Sequence, residues 1–379
     1  MPAWNGKIMD FAYSEEQRML TDSLRRLMAD AWTYDKRRAR QKEGKLSQLA
    51  WASLSELGVA GLIVPQDFGG FGESPATMLT VHFELGRGVV SEPAISSAVM
   101  GVAILSNCEN VGLKGRWLPA HAEGEAILAV AWQEEGERYS TRPLCTKAVS
   151  SADGFSIEGR KVLVWHGAGS DALIVTAMMD GEMALFLVPR DAEGLMIADY
   201  PTMDGSRCAT VTLEHVRVGP DALIAKGRAA NALFDLAFDY GLTALCAHAC
   251  GAMEYLTEAT IQYLKTRKQF GQPLANFQVL QHRLADMLAH KEMALSMTYV
   301  AATALSEKDA ARRSHLASMA KVEVAEAARF VGENAVQLHG GMGVTDELEV
   351  GDYFKRLTYT DLLLGDTYYH LHRVQNLAA

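Results

Sequence analysis

Apolar residues recur at intervals of three and four from Ser14 to about Asn110, and Ser14-Glu15-Glu16-Gln17 opens the stretch like a capping box. An N-terminal helical domain is predicted. Within it, LGVAGLIVPQDFGGFGES from Leu57 to Ser74 breaks the period. Pro65 and the run Gly69-Gly70-Phe71-Gly72 force a compact turn there, and Leu62, Ile63 and Val64 are expected to be buried. Near Ala126 the pattern changes. Seven short β-rich runs follow, at 127–132, 146–149, 155–164, 172–178, 184–189, 196–200 and 209–218, split by Asp-Gly, Glu-Gly and Asp-Ala signals. Such spacing predicts a small antiparallel barrel or sandwich. Helical periodicity returns from about Ala229, with spans predicted at Leu233 to Lys268, Phe277 to Glu307 and Ala310 to Gln337. Ala317, Ala325, Ala328 and Ala335 share a face of the third, which allows close packing, and with the final helix this makes a four-helix bundle. The expected domains are a helical domain at 1–125, a β domain at 126–225 and a helical bundle at 226–379.

The stretch from Asn334 to Arg373 carries the densest punctuation. Its helix ends in Gln337-Leu338-His339, a turn Gly340-Gly341-Met342-Gly343 follows, and Leu364-Gly365-Asp366-Thr367 opens the last helix. Paired glycines let a backbone approach a phosphate closely, and they serve equally well as a helix C-cap. From this stretch alone both readings stand.

Composition narrows the class. The chain has 379 residues, about half of them apolar, enough for a large core and two or three domains. A net charge of −10 excludes the basic stripe of a nucleic-acid surface. The five cysteines, Cys108, Cys145, Cys208, Cys246 and Cys250, show no paired CxxC spacing, so reduced thiols are expected rather than a disulfide framework or zinc site. No cluster has metal-ligand spacing. MPAWNGKIMDFAYSEEQ is too polar for a signal peptide and no apolar run reaches membrane-span length, so a cytoplasmic protein is expected.

Three motifs then fall in a shared order. LGVAGLIVPQDFGGFG lies between N-terminal helices, TRKQFGQPLANFQVLQHRLADM at the first bundle corner, and AVQLHGGMG after the third bundle helix. Together with the helical, β, helical domain order they resemble the acyl-CoA dehydrogenase family over essentially the whole chain. The resemblance implies FAD bound between the middle domain and the bundle, an acyl-CoA substrate, an electron-accepting flavoprotein and a tetramer. It also implies residues. Arg267 would place a fixed guanidinium on the pyrophosphate. Gln269, Phe270 and Gln278 would contact the adenosine part, while Gln337, Gly340 and Gly341 would present backbone to the diphosphate of a second chain's FAD. Thr367 and Tyr369 fall at cofactor-side positions. The alternative for Arg267 is a solvated charge at a helix C-terminus.

In the β domain the residues depart from the family. Where the family has a Thr-Glu-Pro-Gly loop and a Trp-Ile-Thr segment, this chain has Trp132-Gln133-Glu134-Glu135-Gly136 and Leu163-Val164-Trp165-His166-Gly167. Gln133 would replace the threonine as a hydrogen-bond partner of the flavin. Trp165 or Leu163 would cover a ring face, and core packing explains Trp165 equally well.

The family reaction needs a carboxylate to take the α-proton while the β-hydride goes to flavin. Its usual positions fall here at Gly365 and Gly241, which have no side chain. Asp366 is one candidate base, although a one-residue shift turns a helical side chain by about 100°. Asp239 meets a similar objection. Alternatively a partner subunit supplies the base, because QLHGGMGVTDEL and LLGDTYYHLHR resemble the small subunits of pimeloyl-CoA-type dehydrogenases and of heteromeric dehydrogenases of steroid side chains. A hetero-tetramer is therefore expected ahead of a homo-tetramer. Two other functions remain open: a non-catalytic subunit that cradles FAD, and a flavin monooxygenase or oxidase on the same fold.

Overall fold

A computed structural model of the chain describes residues 14–378. Residues 1–13, on which the expectation of no signal peptide largely rests, lie outside the described residues. The N-terminal helices are α1 (Glu15–Ala31), α2 (Tyr34–Glu43), α3 (Gln48–Glu56), α4 (Pro75–Arg87), α5 (Val102–Asn107) and α6 (Val111–Ala122). The capping box forms, with the Gln17 N–H donating to Ser14 Oγ at 3.1 Å and the Ser14 N–H to Gln17 Oε1 at 3.0 Å. In the turn before α4, Leu62 and Val64 are buried and Ile63 is half-buried. A π-turn at Ser96–Gly101 precedes α5.

The middle domain has strands β1 (Leu128–Ala131), β2 (Lys147–Ser151), β3 (Gly154–Trp165), β4 (Ala172–Met179), β5 (Glu182–Pro189), β6 (Leu195–Pro201), β7 (Arg207–Val218) and β8 (Leu223–Lys226). They form one sheet in the order β6-β7-β3-β2-β4-β5-β8, with β1 beside β4. The predicted runs match β1 to β7, and β8 is additional. Most pairings are antiparallel, but β1 and β2 each run parallel to β4, so the sheet is mixed rather than wholly antiparallel. The reason is visible in β1: all four of its residues are buried, and a continuous apolar run does not reveal strand direction.

The C-terminal helices are α7 (Arg228–Thr266), α8 (Gln278–Ala304), α9 (Ala310–His339), α10 (Val350–Leu362) and α11 (Thr367–Ala378). Helix α9 packs against the other four, and its Ala317, Ala325, Ala328 and Ala335 are buried as the pattern required. Helices α4 and α7 touch almost backbone to backbone. A Cβ on Gly86 would overlap the His248 carbonyl, and one on Gly251 would overlap that of Phe83. One apolar cluster, including Leu24, Trp51, Leu128, Ile174 and Phe238, runs through all three parts of the chain. A buried arginine ties them again: Arg356 on α10 donates to the Val90 carbonyl at 2.9 Å, His248 Nε2 at 2.8 Å and Ser206 Oγ at 3.1 Å, and pairs with Asp204 at 2.6 Å. The sheet and the bundle are thereby fixed in relation to each other.

Candidate functional site

At one end of the bundle the helix ends of α7 and α9 meet. The Tyr263 hydroxyl donates to the His339 carbonyl at 3.3 Å, and the two rings stack with centroids 4.3 Å apart. Arg267 is the residue after α7, and Gly340 the residue after α9. Two motifs distant in sequence are thus neighbours. The Arg267 N–H continues the helix to Tyr263, and its carbonyl accepts from the Leu274 N–H at 2.9 Å, closing the β9–β10 hairpin (Lys268–Gln269, Gln272–Pro273). At the hairpin tip Phe270 is 87% exposed with a φ of 53°, edge-on to Phe277. Gln269, Gln278 and Gln337 are all exposed. Among the described residues the Arg267 guanidinium has no ion-pair partner.

The two turn glycines differ. Gly340 sits at φ 59°, ψ −140°, a conformation open essentially only to glycine, so the helix end itself requires it. Gly341 has no such backbone, and a Cβ there would meet nothing within 4 Å. Among the described residues nothing crowds that position, so its backbone is open to approach from outside.

Between sheet and bundle lies the β1–β2 loop. Glu134 roots it: the carboxylate accepts the N–H groups of Leu144, Cys145 and Thr146 at 2.7–2.9 Å and the Lys161 ammonium at 2.8 Å. Burial pushes its pKa up, but these donors outweigh burial and hold it at about 2. The Gln133 carbonyl accepts from the Val162 N–H, and its side chain donates to the Arg138 carbonyl, both at 2.9 Å. Trp165 is half-buried and stacks on His166, and its Nε1 has no partner among the described residues. His166, which sequence reasoning did not single out, donates from Nε2 to the Ser91 carbonyl and accepts at Nδ1 from Ser96 Oγ, both at 2.8 Å. Burial lowers its pKa to about 4, so the ring is neutral.

The turn that opens α11 is closely packed. The Lys321 ammonium, buried on α9, donates to the carbonyls of Asp361 at 3.0 Å and Gly365 at 2.7 Å, and burial lowers its pKa to about 8. Thr367 donates to Asp361 Oδ1 through its N–H at 3.0 Å and its hydroxyl at 2.8 Å. Asp366 accepts the Tyr369 N–H at 2.8 Å and pairs with Arg138 of the β1–β2 loop at 2.7 Å. Gly365 has φ 101°, and a Cβ there would overlap the Tyr369 ring and sit 2.6 Å from His370 Nε2. At Gly241 a Cβ would sit 2.8 Å from Met100 Sδ. Asp239 is fully buried and accepts from Arg313 at 2.9 Å, Ser314 at 2.7 Å and Arg373 at 3.0 Å. Arg138, Tyr139, Lys321, Arg373 and Met100 were not foreseen, because each acts on a residue far away in sequence and no spacing advertises it. All five cysteines are free, and among the described residues no group of three or more His, Cys, Asp or Glu could hold a metal.

Residues 14–125 match the acyl-CoA dehydrogenase N-terminal domain and residues 232–377 the C-terminal domain of the same family. The chain belongs to the acyl-CoA dehydrogenase family, FAD-dependent oxidoreductases. It is 28% identical over 358 residues to (2S)-methylsuccinyl-CoA dehydrogenase of Cereibacter sphaeroides, covering 89% of this chain and 64% of that protein. Among solved structures, a variant of the Tcur3481-Tcur3483 steroid ACAD superposes with a TM-score of 0.86 at 29% identity, covering 96% of this chain and 98% of that one. The ChsE4-ChsE5 complex from Mycobacterium tuberculosis superposes with a TM-score of 0.89 at 24% identity, covering 97% and 98%. The residues present fit FAD: an unpaired guanidinium stands at the bundle end beside a glycine whose outer face is open, and the unpartnered Trp165 indole N–H lies in the sheet segment that flanks the β1–β2 loop.

Proposed function

We propose that this chain is one subunit of a heteromeric FAD-dependent acyl-CoA dehydrogenase, which desaturates the α,β bond of an acyl-CoA thioester, and that the carboxylate base stands on a second chain of the same fold. One observation carries the reading: the two places where the family's base is expected are glycines whose side-chain space is filled from within, Gly365 by Tyr369 and His370 and Gly241 by Met100. Neither position carries a carboxylate, and at Gly365 the positive φ and the Tyr369 and His370 rings disfavour any side chain. The similarity to chains solved as the ChsE4-ChsE5 and Tcur3481-Tcur3483 assemblies supports the pairing.

Within the pair, Arg267 neutralises the pyrophosphate, and Gln269, Phe270, Gln278, Gln337, Gly340 and Gly341 enclose the adenosine–diphosphate end. Gln133, Trp165, Thr367 and Tyr369 belong to the flavin-ring end. When bound, FAD accepts the β-hydride. Asp366 is the alternative base on this chain, but its carboxylate is already engaged, capping α11 through the Tyr369 N–H and pairing with Arg138. The reading places the protein in lipid or steroid catabolism, in the cytoplasm, passing electrons to an acceptor flavoprotein.

Purification alone and after co-expression with a glutamate-bearing second chain tests the assignment. Anaerobic bleaching of the flavin by an acyl-CoA is expected only for the co-expressed pair. Bleaching by the chain alone would overturn the pairing, and oxygen-dependent turnover of reduced flavin would replace the dehydrogenase with an oxidase or monooxygenase.

A further inference from the structure

We infer that a cavity between the α1–α2 turn and the helical bundle is a binding site for a purine nucleotide, with the base stacked inside and the phosphate at the mouth. The cavity measures about 440 Å³, room for a two-ring base and its ribose. It opens where α1 and α2 face the C-terminal end of α4, the start of α10 and Tyr255 of α7. None of its residues belongs to the FAD cradle or to the flavin-ring end, so the site does not depend on the paired-subunit reading.

Aromatic rings give the cavity flat walls. Trp32, Tyr34, Tyr255 and Tyr353 line it, and the last two stack with centroids 4.8 Å apart and planes inclined by 14°. Arg87 lies over the Tyr255 ring at 6.0 Å and Arg37 over the Tyr353 ring at 5.5 Å, so planar groups are already gathered against one another. Arg38 covers Tyr34 at 5.2 Å without lining the cavity, which leaves the Tyr34 ring to meet an occupant. Stacking on such rings suits any nucleobase, because each has a π-face.

The polar lining narrows the occupant further. Guanidiniums of Arg25, Arg37 and Arg87 share the wall with carboxylates of Glu84 and Glu349. A simple cation would meet the guanidiniums, a simple anion the carboxylates, and a hydrocarbon would satisfy neither. A purine carries donors and acceptors side by side on one planar edge and suits both. Arg37, only 6% exposed, donates to the Trp32 carbonyl at 2.7 Å and to Glu349 at 2.8 Å, yet its Nε has no partner among the described residues. A buried donor left unpaired is costly, and an acceptor nitrogen of the base would relieve it. Glu349 also accepts the Tyr255 hydroxyl at 2.5 Å, which fixes its carboxylate on the wall. Arg25 and Arg87 both turn to the buried Glu84, at 2.9 and 3.8 Å, and Arg87 has a second partner in Glu258 outside the cavity. The Arg25 side chain is 52% exposed, so a phosphate leaving the cavity meets a guanidinium at its edge. A bound nucleotide would clamp the N-terminal helices to α10, where Arg356, one turn beyond Tyr353, joins sheet to bundle.

Isothermal titration of the purified full chain with AMP tests the site. One AMP per chain is expected, with adenosine bound about tenfold more weakly for want of the phosphate. Ala29 lines the cavity from the exposed side of α1, so Ala29→Trp plugs it without disturbing the core. That variant is expected to keep the Tm of the ligand-free chain and to weaken AMP at least about tenfold, as is Tyr34→Ala by removing a ring. No AMP binding at millimolar concentration, or full affinity in Ala29→Trp, would overturn the proposal. Inorganic phosphate bound as tightly as AMP would reduce the site to an anion pocket and overturn it too. So would AMP lost from Arg267→Ala but retained by Ala29→Trp, which places the nucleotide in the FAD cradle. Competition separates two sources of the same chemistry. Displacement of AMP by CoA assigns the cavity to the coenzyme's adenosine end, and AMP that CoA fails to displace assigns it to a free nucleotide.

Discussion

Single residues separate what the fold needs from what a ligand needs, and the glycines show it most clearly. Gly340 is dictated by its backbone, Gly365 by its backbone and by Tyr369, and Gly341 by neither. Gly341→Ala is therefore expected to change unfolding stability by less than about 0.5 kcal/mol while loosening FAD in the assembly. Urea titration and flavin retention on gel filtration measure the two effects separately, and a large stability loss would mean the turn needs this glycine after all. Gly365→Ala is expected to do the reverse. Strain and the displaced tyrosine should cost more than about 2 kcal/mol, read as a clear fall in Tm.

Elements bring the site together, and here sequence and structure divide the credit unevenly. The domain order, seven strands and three long helices could be read from periodicity, because each depends on local spacing. The mixed direction of the sheet could not, since a fully buried β1 looks the same either way. Neither could the partners of Asp366 and Asp239: Arg138 lies 228 positions from Asp366, and Arg373 lies 134 from Asp239. The pairing of α7 and α9 ends was hinted at by two motifs, but the Tyr263–His339 contact that makes them neighbours was not. That shared end predicts the behaviour of Arg267→Ala. Among the described residues its guanidinium has no ion-pair partner, so the variant should fold with unchanged Tm when isolated and lose FAD when assembled. Unchanged flavin content would remove Arg267 from the cradle.

Across the described residues, six buried imidazoles whose pKa values burial lowers, His339 among them, set the response to acid. Burial lowers His82 from 6.5 to about 3 and His121 and His166 to about 4, and it lowers His248 and His370 well below their ordinary value. Between pH 6.5 and about 4 the unfolded chain binds protons that these native rings refuse, so their stability contribution is fully present above pH 6.5 and falls away through that window. Glu134 adds a loss at lower pH, because its depressed pKa gives stability present above 4.5 that disappears as pH falls toward about 2. Urea midpoints are expected to fall steadily from pH about 7 to about 5, with a slope of more than one proton. A flat profile would mean that these histidines titrate normally.

The proposed pairing would make catalysis a property of two chains, and one comparison addresses that directly. Anaerobic single-turnover bleaching of flavin by an acyl-CoA would be measured in the assembly with Asp366→Asn on this chain, and separately with the partner's glutamate changed to glutamine. Bleaching is predicted to survive the first substitution and vanish with the second. Loss of bleaching in the Asp366→Asn assembly, with the partner's change tolerated, would place the base on this chain and contradict the account.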